Sequence, residues 1–221
     1  MNIKEGIEKR FSVRAFTDEV PSMDTIKEIL ITANSAPSGG NIQPWKVYVL
    51  NEETKQALAE KTLHNFDNGV QEEIEYDIYP KPLADEYKKR RYECGADMYK
   101  ALSIEKDDLD SRFKQIRENY NFFGAPLGMI ITIDRSFGRN GWGHVGMFLE
   151  NLWLSAIDKG LGLCLQESWS IYPKTVKEIT KHPDNEIVWC GVAIGYEDKE
   201  DPINQYRTSR EELESFVRFV E

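Results

Sequence analysis

Three residues near the start of the chain have the types and spacing to grip an anion. In Arg10-Phe11-Ser12-Val13-Arg14 the two arginines and the serine recur at every second position, so an extended backbone sets them on one side and Phe11 and Val13 on the other. Guanidinium groups offer bidentate geometry to phosphate oxygens, and the hydroxyl adds a further donor. A second set stands near the other end, where Asn204-Gln205-Tyr206-Arg207-Thr208-Ser209-Arg210 supplies two more arginines and two hydroxyls. Between them, Ala36-Pro37-Ser38-Gly39-Gly40-Asn41-Ile42-Gln43-Pro44-Trp45 mixes small residues with amides. Its backbone N–H groups can approach a planar ligand closely, and Asn41 and Gln43 offer hydrogen bonds. Taken singly, the arginines also read as a solvated face. Brought together, the two clusters would surround one anion.

Other chemistries have weaker signals. Gly141-Trp142-Gly143-His144-Val145-Gly146 satisfies G-x-G-x-x-G, with Glu167 placed as a ribose-binding acid might be. In a dinucleotide fold the first glycine follows its strand at once, whereas Asp134 to Asn140 intervene here and no βαβ unit follows. A flexible connection and a close-packed helix start explain these glycines better. The cysteines Cys94, Cys164 and Cys190 are odd in number and far apart, which fits neither a disulfide framework nor paired zinc ligands. Cys164 and Cys190 lie in apolar runs and read as small core residues. His64, His144 and His182 share no helical spacing, so no metal site is expected.

Composition narrows the classes further. The 221 residues include 28 Lys+Arg against 38 Asp+Glu, a formal charge of -10 that repels a nucleic-acid backbone unless a basic face is segregated. No stretch approaches the ~20 apolar residues of a membrane span. The first residues run straight into an amphipathic pattern without a signal-peptide core, so a cytoplasmic protein is expected. Length and 40% hydrophobic content suit a single domain over residues 1–221.

The elements that must position these residues follow from periodicity and breakers. Ile26, Ile29, Leu30 and Ala33 predict a helix that ends near Ser35-Ala36-Pro37, and Trp45 to Leu50 reads as a strand. Thr54 to Leu63 reads as a helix. From about residue 64 to 110 the chain turns charged and tyrosine-rich, a helical lid excursion with a helix over Ala84 to Leu102. Leu109, Phe113, Ile116 and Tyr120 share a helical face that Gly124-Ala125-Pro126 stops before the strand Met129 to Ile133. Val145, Phe148, Leu149, Leu152, Trp153 and Ala156 mark a central helix, with a stripe wide enough for burial on more than one side. Strands over Gly160 to Leu165 and Ile187 to Ile194, a short helix at Thr175 to Lys181 and a terminal amphipathic helix through Leu213, Phe216, Val217 and Val220 complete the chain. Helices and strands mix without regular βαβ alternation, so the fold class is α+β.

In this order and at these spacings, the motifs resemble those of the nitroreductase-like flavoproteins. The resemblance rests on Arg10 to Phe16, Ala36 to Trp45, Asn121-Phe122-Phe123-Gly124-Ala125-Pro126, Leu165-Gln166-Glu167-Ser168-Trp169, Val192 to Tyr196 and Asn204 to Arg210, and spans almost the whole chain. It implies a central mixed or antiparallel sheet flanked by helices, in a domain-swapped homodimer that binds FMN. It further implies that Arg10, Ser12 and Arg14 hold the flavin phosphate, ribityl chain and ring edge, with Arg207 and Arg210 as the remaining phosphate ligands. Pro37, Ser38, Gly39 and Asn41 would touch the flavin of the partner subunit. Backbone groups of Gln166, Glu167 and Ser168 would face the reactive flavin nitrogen, with no catalytic side chain required. Arg117 and Asn121 would reach the pyrimidine edge. Phe122, Phe123 and Trp169 would either stack on substrate or pack in the core. His144 stands where the family more often has an acidic residue, and its role is open.

The activity implied is two-electron hydride transfer from NAD(P)H through FMN to a nitroaromatic or quinone-like small molecule, in a ping-pong cycle. The lid from Tyr79 to Arg91, with Asp107, Asp108 and Arg112, looks most like the nitrobenzoate-type reductases. Two alternatives remain. One is reductive dehalogenation of the deiodinase type, although Glu86, Tyr87 and Lys88 are adjacent and cannot all face one ligand from a helix. The other is a non-catalytic flavin-binding protein.

Overall fold

A four-stranded antiparallel sheet with strand order β1-β2-β4-β3 organises the computed structural model, which describes residues 2–220. The strands are β1 (Trp45–Leu50), β2 (Leu127–Asp134), β3 (Gly162–Gln166) and β4 (Glu186–Gly195). Met1 and Glu221, the ends of the expected single-domain span, lie outside the described residues. Central strands β2 and β4 are apolar along most of their length because both sheet faces are covered. Met129, Ile131, Ile133, Cys190, Val192 and Ile194 meet helices α2 (Met23–Ala33) and α6 (Arg139–Asp158) on one face. Ile130, Val188, Ala193 and Cys164 belong to the opposite core, with Leu58 from α3 (Glu52–Asp67) and Val176 from α7 (Pro173–Thr180).

A bulge reconciles strand β4 with this two-faced burial. Its pairing with β2 shifts between Ile131 and Thr132, whose partners are Cys190 and Val188. The residue skipped is Trp189, and both Trp189 and Cys190 belong to the α2/α6 side. Gly191 then faces the other core, where the Trp169 indole occupies the space a Cβ would need.

Helix α6 buries the broad stripe that its sequence shows. Val145, Phe148, Leu149, Leu152, Trp153 and Ala156 are all buried, and each large member contributes about 1.5–3 kcal/mol by leaving water. Trp45 stacks on Phe148 with ring centroids 5.0 Å apart and donates Nε1–H to Asn34 at 2.9 Å. The G-x-G-x-x-G run is helical throughout, inside the first turns of α6. Gly141 is required there by Phe137, which a Cβ would approach to 2.6 Å.

Three expectations need correction. Helix α3 runs to Asp67, so the lid excursion begins later than residue 64. It carries α4 (Asp85–Ala101) and leads into α5 (Leu109–Arg117). Helix α5 does not continue through Tyr120: a 3₁₀ segment, Glu118–Gly124, replaces it, with Phe122 and Phe123 at φ 50° and 51°. Burial of both rings holds this left-handed backbone, which is costly for bulky residues. The terminal amphipathic helix shrinks to one turn, α9 (Leu213–Phe216), and Leu213, Phe216, Phe219 and Val220 are exposed. An isolated turn gains little without packing, and among the described residues this face stays exposed.

Candidate functional site

The N-terminal segment reaches the sheet directly after α1 (Ile3–Lys9). Val13 donates its backbone N–H to the Leu163 carbonyl at 2.9 Å and packs so tightly that a Cβ on Gly162 would come within 2.5 Å of its side chain. Ser12 bridges Leu163 in parallel, which covers the open edge of β3. The buried Cys164 thiol lies beside Ser12 and Arg14, and burial pushes it up despite the arginine. This docking turns Arg10, Ser12 and Arg14 toward one side, as their spacing predicts.

Asn204 brings the other cluster to the same place. The residue follows Pro202 and Ile203 in the short helix α8 (Pro202–Gln205) and is buried. Its Oδ1 accepts the Arg14 backbone N–H at 2.9 Å, and its Nδ2 donates to the Ala15 and Asp198 carbonyls at 2.8 and 2.7 Å. Arg207 then stacks over Phe11, its guanidinium carbon 3.4 Å from the ring centroid. Phe11 therefore lines the same cavity as the arginines and carries Arg207, instead of sitting opposite them.

Arg10, Ser12, Arg14, Arg207, Thr208 and Arg210 all line one cavity of about 680 Å³. Glu8 and Glu150 share its wall, so four guanidiniums face two carboxylates. Arg10 is only loosely paired to Glu150, at 3.8 Å, and lies over the Trp153 ring at 4.6 Å. Arg207 donates through Nη1 to the Asn204 and Tyr206 carbonyls, and Arg210 through Nη1 to Thr208 and Ser209. Both guanidiniums are thereby aimed by backbone, with their other nitrogens left for a ligand. In a chain of net charge -10 this is a local reversal of sign suited to a phosphate.

The segment after β3 is fixed from below. Glu167 opens a 3₁₀ turn, Glu167–Ile171, and its carbonyl accepts the Ser170 hydroxyl at 2.7 Å. Gln166 is buried and spends its amide on the Asn119 carbonyl at 2.7 Å and on the Trp169 indole at 3.4 Å. The Glu167 side chain keeps access to solvent, yet neighbouring protein crowds its carboxyl and raises its pKa. Ser168 Oγ is buried with no hydrogen-bond partner among the described residues.

The aromatic residues resolve toward packing. Phe122 and Trp169 are fully buried and stack at 4.5 Å, and Phe123 is buried under the Arg14 guanidinium at 5.9 Å. Of the two outcomes expected for these rings, stacking on substrate or packing in the core, their burial within the chain favours packing. Arg117 is also committed elsewhere, because its Nε and Nη2 form a fork with Asp67 at 2.9 and 3.0 Å. Asn121 is exposed and bonds Glu118 at 3.3 Å.

Pro37, Ser38, Gly39 and Asn41 do not line the arginine cavity of their own chain. Their loop is held from α6 by His144, whose Nε2 accepts the Gly39 N–H at 3.1 Å. A Cβ on Gly39 would press on that ring at 3.3 Å. His144, open at the level of sequence, is thus the loop's anchor. Tyr76 was missed altogether. It donates to the Trp189 carbonyl at 2.5 Å and packs edge-on against Trp142 at 4.5 Å; burial raises its pKa, and the Glu167 carboxylate adds to the rise. Lying in the aperiodic start of the lid, it gave no signal beyond the local tyrosine content.

The family model named "Nitroreductase family" matches residues 7–196. This chain belongs to the nitroreductase family. It is 35% identical over 214 residues to the 4-nitrobenzoate reductase of a Nocardioides species, covering 96% of this chain and 87% of that one. It is 32% identical over 220 residues to the nitrobenzene nitroreductase of Ectopseudomonas oleovorans, covering 99% and 96%. Among solved structures, it matches the FMN and NADPH-dependent nitroreductase NfnB of Sphigopyxis sp. strain HMH with TM-score 0.96, 34% identity and full coverage of both chains. The α+β fold expected from the resemblance is the one observed, with the sheet antiparallel throughout its four strands. Among the described residues no cluster of His, Cys, Asp or Glu could hold a metal ion, and no helix is long and apolar enough to cross a membrane.

Proposed function

We propose that this chain is an FMN-dependent oxidoreductase that takes hydride from NADPH and reduces nitroaromatic compounds. The observation that carries the reading is the convergence of Arg10, Arg14, Arg207 and Arg210 on one cavity from opposite ends of the chain. Its donor chemistry fits the phosphate end of FMN, since guanidiniums and hydroxyls outnumber the two carboxylates in its wall. The partnerless Ser168 Oγ and the turn at Glu167 supply a second polar edge for the ring. FMN and NADPH are named for the NfnB relatives, and nitroaromatic acids or nitrobenzene for the relatives compared by sequence.

When bound, FMN supplies the two-electron relay between nucleotide and acceptor. The chain's own residues do the rest. The arginines hold and orient the phosphate, and Ser12 adds a donor. Backbone groups of Gln166 to Ser168 provide polar contact to the ring without a titrating side chain. Asn121 keeps an exposed amide for the ring edge, whereas Arg117 leaves the cofactor set because it is bound to Asp67.

The working unit in this reading is a cytoplasmic homodimer of single-domain chains. The loop at Pro37 to Asn41 stands away from its own chain's cavity, and Ile3, Ile7, Phe216, Phe219 and Val220 expose apolar surface at both termini. A second copy would cover that surface and receive the loop. To test the activity, NADPH oxidation by the FMN-loaded protein is followed with and without 4-nitrobenzoate or nitrobenzene. Acceptor-dependent oxidation is expected. A yellow protein that oxidises no NADPH with either acceptor overturns the reductase reading and leaves a flavin-binding protein.

A further inference from the structure

A separate cavity of about 490 Å³ opens where the end of β2, the start of β4, helix α7 and the beginning of the lid excursion meet. It shares no residue with the arginine cavity. Two of its lining side chains, His182 and Glu186, are buried, and each is held from behind by hydroxyls. Glu186 Oε2 accepts the Tyr48 hydroxyl of β1 at 2.7 Å and the Thr132 hydroxyl of β2. Its Oε1 has no partner among the described residues and is not sealed from solvent.

The His182 ring is oriented in the same way. Thr180 Oγ1 donates its one proton to the Val176 carbonyl at 3.0 Å, so it can only accept from His182 Nδ1, 2.7 Å away. Nδ1 therefore carries the proton of the neutral ring. Nε2 carries a lone pair that has no partner among the described residues, and it too keeps contact with solvent. Burial lowers the ring's pKa, in keeping with a neutral imidazole, while Glu186 and Glu75 act to raise it and Lys177 and Arg135 to lower it.

Two buried acceptors on one wall call for a donor. A carboxylate out of water with one oxygen unpaired is costly, and an ammonium would satisfy that oxygen and the imidazole lone pair together. The rest of the wall is not anionic, because Arg135, Lys174 and Lys177 balance Glu73, Glu75 and Glu186. Arg135 gives Nη2 to Glu75 at 2.8 Å and Nε to the Asp184 carbonyl at 2.7 Å, which leaves Nη1 without a partner. Lys177 is paired with Asp184, but Lys174 forms no ion pair among the described residues. A bare cation would meet three basic groups here, and a bare anion three carboxylates. A molecule with both charges answers the whole wall.

We propose that this cavity binds a small zwitterion, a compound of the amino-acid class that carries an ammonium and a carboxylate. Its ammonium lies on Glu186 Oε1 and His182 Nε2, and its carboxylate on Arg135 Nη1 and Lys174. The site is independent of the flavin chemistry and does not rest on the nitroreductase reading.

Equilibrium dialysis of the FMN-loaded protein tests the proposal. The probes are glycine, β-alanine and 4-aminobutyrate, with butylamine and butyrate as controls that carry one charge each. Wild type is expected to bind at least one zwitterion, and to bind it more tightly than either control. Glu186→Gln puts an NH₂ donor in place of the free oxygen and keeps one oxygen for Tyr48 and Thr132, so that zwitterion should bind about 10–100-fold more weakly. Lys174→Gln, at an exposed position, should weaken it about 2–5-fold and leave butylamine unaffected. The proposal is overturned if wild type binds no zwitterion at millimolar concentrations, if either control binds as tightly as the zwitterions, or if either variant keeps full affinity. Near-ultraviolet circular dichroism checks that Glu186→Gln folds; if it does not, Lys174→Gln decides alone by the same criterion. FMN retention is followed in parallel, so loss of flavin would count against the arginine cavity and leave this result unaffected.

Discussion

The backbone N–H of Arg14 donates to Oδ1 of Asn204 at 2.9 Å, joining residues 190 positions apart. That one amide aligns the two basic segments, because the same side chain also holds Ala15 and Asp198 through Nδ2. The first segment also docks through Val13 on Leu163 and through the Asp198 N–H on the Ala15 carbonyl, so Asn204 adds to these contacts the one that fixes Arg14 itself. An Asn204→Ala variant would take the side-chain partner from the Arg14 N–H and from the Asp198 carbonyl, while the Ala15 carbonyl keeps the Asp198 N–H at 3.1 Å. Stability should fall by about 2–4 kcal/mol, read from urea unfolding. A loss within error of zero would show that the two segments are aligned by something else.

Close packing beneath the Glu167 turn gives a second prediction. A methyl group on Gly191 would meet Trp169 Cδ1 at 2.1 Å and Nε1 at 2.5 Å, and both the indole and the strand are buried. Alanine in a strand gains roughly 0.5–1 kcal/mol over glycine, but overpacking a fixed core costs about 1–3 kcal/mol. Gly191→Ala should therefore be destabilised on balance, and its displaced indole should change the near-ultraviolet circular dichroism. An unaltered spectrum with wild-type stability would mean that Trp169 has room to move.

Much of this architecture was legible in the sequence because it follows from local signals. Strand β1 lies where β-branched and aromatic residues run from Trp45 to Leu50 between Pro44 and Asn51, and α6 lies where its apolar stripe places it. The arginine clusters could be seen as clusters, but their meeting could not: it depends on Asn204, a buried amide with no periodic signature. Whether Phe122 and Phe123 stack on a ligand or pack in the core stays open in the sequence, because nothing local shows their left-handed backbone or the indole that Phe122 meets. Arg117 illustrates the same limit, since its partner Asp67 lies 50 residues away on α3. At the C-terminus the pattern is amphipathic, but the helix it predicts lacks a surface to pack on within one chain.

His182 supplies a prediction in pH. Its ring is buried with Nδ1 2.7 Å from Thr180 Oγ1, and burial lowers its pKa from the usual 6.5. The folded state therefore keeps the imidazole neutral while the unfolded chain takes up a proton. This contribution to stability is fully present above about pH 6.5 and is lost as pH falls toward the lowered folded value, with a slope of at most about 1.4 kcal/mol per pH unit. Urea unfolding between pH 7.5 and 5 should show the decline in wild type and a flatter profile in His182→Gln. Parallel profiles would assign the acid sensitivity to other groups.

The account rests most heavily on the arginine cavity as the seat of the FMN phosphate. Titrating FMN into flavin-free wild type, Arg14→Ala and Arg210→Ala, and following the quenching of flavin fluorescence, measures that directly. Removal of either guanidinium should cost a charge-assisted bond of about 1.5–3 kcal/mol and weaken FMN binding roughly 10–100-fold. Wild-type affinity in both variants would contradict the account, because the phosphate would then be held somewhere else.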